Sequence, residues 1–218
     1  MQELIFIVDG SGVEDEMELK SLAQKFNWIK VIILSRNFGQ HIALSAGYNI
    51  AVGDVVCMLN VDQQDPPSEI PKLLKKLEDE KLDIVYGLRD IRKDKFIKRI
   101  TSALFNLILN KLTGDTTPLN VATLRIMSRR FIDSFNQLSE KSRYIPGLEY
   151  WLGFNRGYLL IKHQERKDGK SSYNFKKRIL LAVDSIISFS DLPLRWTAIS
   201  GSILAGLGFL FLLILIIM

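Results

Sequence analysis

The chain has 218 residues, a formal net charge of +5 and one cysteine, Cys57. One cysteine excludes a disulfide framework and a cysteine-based metal site, and Cys57 sits in an apolar run that reads as a buried, inert thiol. The surplus of Lys and Arg comes without a recognition motif or interleaved aromatic residues, so no nucleic-acid partner is expected.

Taken in chain order, apolar runs of strand length alternate with amphipathic stretches. Leu4–Val8 predicts a strand and Glu14–Phe26 a helix. No signal peptide is expected, because a strand-like run follows Met1 almost at once. Ile29–Leu34, rich in β-branched residues, predicts a second strand. Asn37 suits the cap of a helix from Phe38 to about Ala51. Asp54–Leu59 predicts a third strand, and Pro66-Pro67 opens a helix running to about Glu80. Leu82–Tyr86 predicts a fourth strand. This alternation predicts an α/β fold with a doubly wound, mostly parallel sheet covered on both faces.

The second half is less regular. Lys95–Leu112 places Phe96, Ile100, Leu104 and Leu107 on one helical stripe. That helix either packs on the domain or lies in a membrane interface. Val121–Met127 and Tyr158–Ile161 predict further strands, and Phe175–Phe189 a basic-then-apolar helix. Thr197–Met218 carries no charge. Roughly 22 residues at ~1.5 Å rise reach about 33 Å, enough to cross a bilayer core. Lys and Arg concentrate in Arg89–Arg99 and Lys162–Arg178, with Arg195 at the start of the span. Basic residues flanking a span favour a cytosolic soluble part and attract anionic headgroups. The organisation expected is one domain plus an anchor.

Three loops follow the C-terminal ends of strands, the edge where open α/β sheets bind ligands. Asp9-Gly10-Ser11 suits a ribose or base, and equally an ordinary turn. Ser35–His41 enters a helix, whose N-terminus favours phosphate. His41 reads as a structural hydrogen-bonder before a catalyst. Asn60, Asp62 and Gln64 present oxygen-bearing side chains at i, i+2 and i+4. That pattern suits Mg2+ or Mn2+ shared with substrate phosphates, and equally a solvated loop.

Together these stretches resemble glycosyltransferase family 2, in its polyprenyl-phosphate glycosyltransferase branch. The matching pieces are Ile7–Ser11 (IVDGS), Leu34–Gly47 (LSRNFGQHIALSAG), Asn60–Pro67 (NVDQQDPP), Tyr86–Arg89 (YGLR), Lys98–Ser102 (KRITS) and Gly169–Tyr173 (GKSSY). The resemblance implies a nucleotide-sugar-binding sheet of the glycosyltransferase A type. It implies a nucleotide-sugar site at Asp9, Gly10, Ser11, Asn37, Gln40, Asn60 and Asp62. A metal, Mg2+ or Mn2+, falls to Asp62 and Gln64 with Asn60. Arg89, Arg99 and Ser102 match residues around an acceptor phosphate, so Asp62, Arg89 and Arg99 are the implied catalytic set. Arg166, Gly169, Ser171 and Tyr173 match a loop that closes over the site.

The implied division is a catalytic domain at 1–165, a loop and juxtamembrane helix at 166–195, and a transmembrane helix at 196–218. The implied activity is inverting transfer of a sugar from a UDP- or GDP-sugar to a polyprenyl phosphate. The setting is the cytosolic face of a bacterial or archaeal plasma membrane, in cell-envelope glycan synthesis; a homo-oligomer stays open. The sequence departs from the family pattern at Val8, Asn60, Ala122–Arg125 and Ser172. An extra strand is expected ahead of Met1 and a second span after Met218, as in a shortened form of a longer protein. Two other readings stand beside this one: a non-catalytic membrane partner or scaffold, and a family 2 transferase with a soluble or polymeric acceptor.

Overall fold

The structure, a computed structural model, describes residues 3–62, 64–89, 118, 120–140, 143–162 and 192–217. The helices expected at Lys95–Leu112 and Phe175–Phe189 lie outside the described residues. The chain divides into two compact units, Met1–Ile100 with Thr117–Lys170, and Thr101–Thr116 with Ser171–Met218.

In the first unit the order is β1 (Leu4–Val8), α1 (Val13–Lys25), β2 (Ile29–Ile33), α2 (Gln40–Ile50), β3 (Val55–Met58), α3 (Ile70–Asp79), β4 (Ile84–Leu88), β5 (Val121–Ser128), α4 (Arg129–Asn136), α5 (Ile145–Trp151) and β6 (Arg156–Leu160). The expected parallel winding holds for β1 with β2 and for β4 with β6. β5 enters antiparallel between β3 and β4, giving the sheet order β3-β5-β4-β6. Among the described residues no ladder joins the β1-β2 pair to that sheet. Side chains tie them instead: Glu3 accepts from the Val52 amide at 2.7 Å, so β1 and β3 start from one edge.

Local chemistry sets the element ends. α1 carries Glu14, Asp15 and Glu16 in its first turn and Lys25 in its last, matching the helix dipole at both ends. α3 is preceded by a 3-10 turn, Pro67–Glu69, so the expected proline-led helix begins later than Pro66-Pro67. It closes with Lys81 in the left-handed region and the Leu82 amide on the Leu77 carbonyl at 2.9 Å. That turn uses up Leu82 and Asp83, so β4 starts at Ile84 and runs on to Leu88. Arg89 therefore stands directly at the strand's end.

The core lies between α3 and the sheet, where Leu73 and Leu77 meet Val85, Ala122, Leu124, Ile126 and Ile161. On the other side α4 buries Phe131, Ile132 and Phe135, and Phe135 meets Tyr48 of α2 edge to face at 5.3 Å. Gly87 lies where β4 and β5 slip register. A Cβ there would come 2.7 Å from Ile161 Cδ1 and 3.2 Å from the Leu124 carbonyl, so only glycine lets the strands approach. Cys57 is exposed, not buried. It alternates with buried Met58 along β3 and falls on the less covered face. In the second unit α6 (Leu192–Ile217) is a continuous helix. Its stretch Leu194–Ile217 is long and apolar enough to cross a membrane.

Candidate active site

The C-terminal ends of β1, β2, β3 and β4 and the start of β5 share one edge, and side chains link them in series. Asp9 follows β1. Its carboxylate accepts from the Phe38 amide at 2.7 Å and the Gly39 amide at 2.8 Å, while Asn37 Nδ2 donates to the Asp9 carbonyl at 2.9 Å. α2 therefore begins at Gln40, two residues later than expected, and Asn37 is not its cap. Gly39 caps it with φ +94° and ψ 156°, a backbone region open essentially to glycine alone. The carboxylate of Asp9 does from β1 what a capping side chain does locally.

Gly10 has φ +73°, and a Cβ on it would meet the Asn37 amide nitrogen at 2.9 Å. Gly10→Ala is expected to cost at least about 1–2 kcal/mol from the left-handed backbone alone. Displacement of Asn37 adds to that, and urea unfolding of the two proteins measures the sum.

From α2 the series continues to β3. Gln40 Nε2 lies 3.5 Å from Asn60 Oδ1, and Asn60 Nδ2 donates to Thr123 Oγ1 of β5 at 3.1 Å. Asp62 Oδ1 accepts from the Gln64 amide at 3.2 Å, closing a turn. Asp65, only 2% exposed, accepts from the Leu124 amide at 3.3 Å and pairs with Arg89 Nη2 at 3.2 Å. The Arg89 amide donates to the Asn120 carbonyl at 2.8 Å, and Asn120 Nδ2 donates back to the Arg89 carbonyl.

The structure thus brings Asp9, Gly10, Asn37, Gln40, Asn60, Asp62, Gln64 and Arg89 to one edge. Ser11 is exposed beside them. Arg99, Ser102, Arg166, Gly169, Ser171 and Tyr173 lie outside the described residues. Asn60, Asp62 and Gln64 offer only oxygens as metal ligands, one of them a carboxylate. Among the described residues no three His, Cys, Asp or Glu side chains converge as a metal cage. The set fits Mg2+ or Mn2+ taking most of its ligands from a diphosphate.

Below this edge lies a buried group that the sequence reading missed. Arg125 of β5 pairs with Glu149 of α5 at 2.5 Å, and Tyr86 donates to the same Glu149 oxygen at 3.1 Å. Arg125 Nε also donates to the Thr123 carbonyl at 3.2 Å. Burial pushes the Glu149 carboxyl above the ordinary carboxylate range, with the Arg125 guanidinium pulling it back.

His41 faces this group and packs edge-on against Tyr144, with ring centroids 5.4 Å apart. It is not the hydrogen-bonder expected. Both ring nitrogens are enclosed without a partner among the described residues. Burial, helped by the Arg125 charge, lowers its pKa from the ordinary 6.5. Neutral His41 is favoured in the fold, so its contribution is intact above pH 6.5 and is lost as pH falls through the lowered value. Melting temperatures between pH 7 and pH 5 should therefore drop further for the wild type than for His41→Phe.

Residues 2–135 match glycosyl transferase family 2. The chain belongs to that family. It is 34% identical over 215 residues to an uncharacterized glycosyltransferase of Bacillus subtilis, covering 98% of this chain and 66% of that protein. It is 36% identical over 217 residues to the undecaprenyl-phosphate 4-deoxy-4-formamido-L-arabinose transferase of Proteus mirabilis, covering 99% and 66%. The chain thus spans just under two thirds of the length of these relatives. A mannosyltransferase from Pyrobaculum calidifontis, solved with GDP-Man and Mn2+, superposes with a TM-score of 0.55 at 12% identity. The match covers 84% of this chain and 53% of that one, a likeness of fold alone. These findings bear out the resemblance read from the IVDGS, RNFGQH and QQDPP stretches.

Proposed function

We propose that the protein transfers a sugar from a nucleotide sugar to a polyprenyl phosphate at a membrane surface. The observation that carries this reading is the bonded series from Asp9 through Gln40, Asn60 and Thr123, and through Leu124 and Asp65 to Arg89. It joins three strand-end loops into one edge suited to a nucleoside diphosphate, with an arginine at its far end. Family membership and the names of the relatives support the same reading.

In this reading the acceptor phosphate oxygen attacks the anomeric carbon. The bond from that carbon to the diphosphate breaks, with inversion. A phosphate monoester has its second pKa near ~6, so it is largely deprotonated at neutral pH and needs positioning more than a strong base. Arg89 holds that phosphate through its planar N–H fork; Arg99 and Ser102, outside the described residues, are the further candidates that the family resemblance implies. Asp62, with Gln64 and Asn60, would hold the divalent metal, which neutralises charge on the departing diphosphate when bound. Asp9, Gly10, Ser11 and Asn37 shape the nucleoside end.

The Leu194–Ile217 helix anchors the protein in the bilayer, where a polyprenyl acceptor is confined. In this reading the basic residues ahead of the helix keep the sugar-transferring part on the cytosolic side, as basic flanks of a span generally do.

The test is transfer of radiolabelled sugar from UDP- and GDP-sugars to polyprenyl phosphate in membranes containing the full chain. Labelled lipid is the expected product. Label on a soluble or polymeric acceptor instead would reject the lipid. Calorimetry with UDP or GDP and Mn2+ separates a transferase from a non-catalytic scaffold, which would bind neither nucleotide.

A further inference from the structure

Asp65 ties the Asn60–Pro67 loop to the strand end that carries Arg89. At 2% exposure a carboxylate keeps its charge only against partners. Its Oδ2 takes Arg89 Nη2 at 3.2 Å and the Leu124 amide at 3.3 Å. The Arg89 main chain is bracketed by Asn120 through both its amide and its carbonyl. Held at its root and at one terminal nitrogen, the guanidinium cannot swing freely. Yet its donors are not used up. Among the described residues Nε has no hydrogen-bond partner, but it is enclosed in the fold, so the donors left to face a ligand are the terminal N–H groups of a side chain that keeps 30% of its surface. A half-satisfied guanidinium fixed at the edge of a site is a receptor for a tetrahedral oxyanion.

We propose that Asp65 is a positioning residue for phosphate recognition, holding Arg89 so that its remaining N–H donors meet a phosphate monoester. This rests on the reading that puts the acceptor phosphate at Arg89. Asp65 lies three positions beyond Asp62 on the same loop, but its bonds run to Arg89 and Leu124 and not to Asp62. Asparagine at position 65 would keep the shape and one oxygen acceptor where Arg89 and the Leu124 amide meet, but would remove the negative charge that holds the Arg89 guanidinium.

The experiment uses the full chain in lipid nanodiscs. Farnesyl phosphate and, separately, inorganic phosphate are titrated by calorimetry into wild type, Asp65→Asn, Arg89→Ala and the double variant. Asp65→Asn should weaken farnesyl phosphate binding about tenfold. The double variant should bind no more weakly than Arg89→Ala, because Asp65 acts through Arg89. Whichever of UDP or GDP binds should do so equally well to Asp65→Asn and wild type.

Unchanged phosphate binding in Asp65→Asn overturns the proposal. So do additive losses in the double variant, an equal loss of nucleotide affinity, or a wild type that binds neither phosphate. Inorganic phosphate bound as tightly, with the same variant pattern, supports the role of Asp65 and makes the ligand free phosphate. If Asp65→Asn fails to fold, Arg89→Lys reads the same pair. Lysine keeps the charge and lacks the fork, so wild-type affinity there would refute the role. Intact phosphate binding without any sugar transfer would remove the proposed reaction and leave Asp65 in place.

Discussion

Asp62→Ala lowers sugar transfer on the order of a hundredfold, about 2.7 kcal/mol of transition-state stabilisation. The size follows from the shortage of charge at the metal-side loop. Of its three oxygen-bearing residues only Asp62 is an acid. Asn60 is engaged at both ends, toward Gln40 and toward Thr123. Asp65 is committed to Arg89 and the Leu124 amide. In the proposed reaction, removing Asp62 would leave only neutral amides on this loop to hold a divalent metal. The loss should come with a sharply raised Mn2+ requirement in the transfer assay. Stability should change by less than about 1 kcal/mol, since Asp62 is only half-buried on a surface loop. Full transfer activity in Asp62→Ala would show the metal role to be wrong.

The first half of the fold was legible because its signals are local. Leu4–Val8 and Ile29–Ile33 are short β-branched runs between turn residues, and both formed strands where expected. The strand ends that carry Asp9 and Asn60 were therefore read onto one edge, whereas Arg89 entered only through the family resemblance, its strand being expected to stop at Tyr86 and running instead to Leu88.

What was not legible depends on partners far along the chain. Asn37 looked like a helix cap from its neighbours, but the carboxylate that serves the chain there is Asp9, 28 positions earlier. Thr123 stood out only as a departure from a family pattern. Its bond to Asn60, another such departure, spans 63 positions. The antiparallel entry of β5 has no periodic signature, because alternation does not record direction. α4 and α5 were missed for their brevity. Ser128, whose side chain accepts from the Phe131 amide, was the available sign for α4. Glu149 in a short apolar helix was the sign for the buried pair.

Glu149→Ala should destabilise the fold by about 3–5 kcal/mol, the usual cost of stranding one member of a buried ion pair. Glu149 is 1% exposed and Arg125 7%. Without Glu149 the guanidinium keeps its bond to the Thr123 carbonyl and its place over the Tyr86 ring, but no counter-charge at hydrogen-bond distance among the described residues. Tyr86 loses its acceptor as well. Glu149→Gln, which preserves shape and an acceptor for Tyr86, should fall between alanine and wild type.

The double replacement Glu149→Leu with Arg125→Met should recover most of the loss, because well-packed apolar residues replace buried ion pairs at little cost. Chemical unfolding of wild type, Glu149→Leu, Arg125→Met and the double variant closes the cycle. Recovery would show that the cost lies in the stranded charge and not in the worth of the pair. The double variant should nevertheless transfer sugar less well than its stability implies. Without Arg125 the Thr123 carbonyl loses its charged donor, and the Thr123 hydroxyl is what Asn60 bonds across the edge. Wild-type turnover in a stable double variant would mean that this buried pair serves the fold alone.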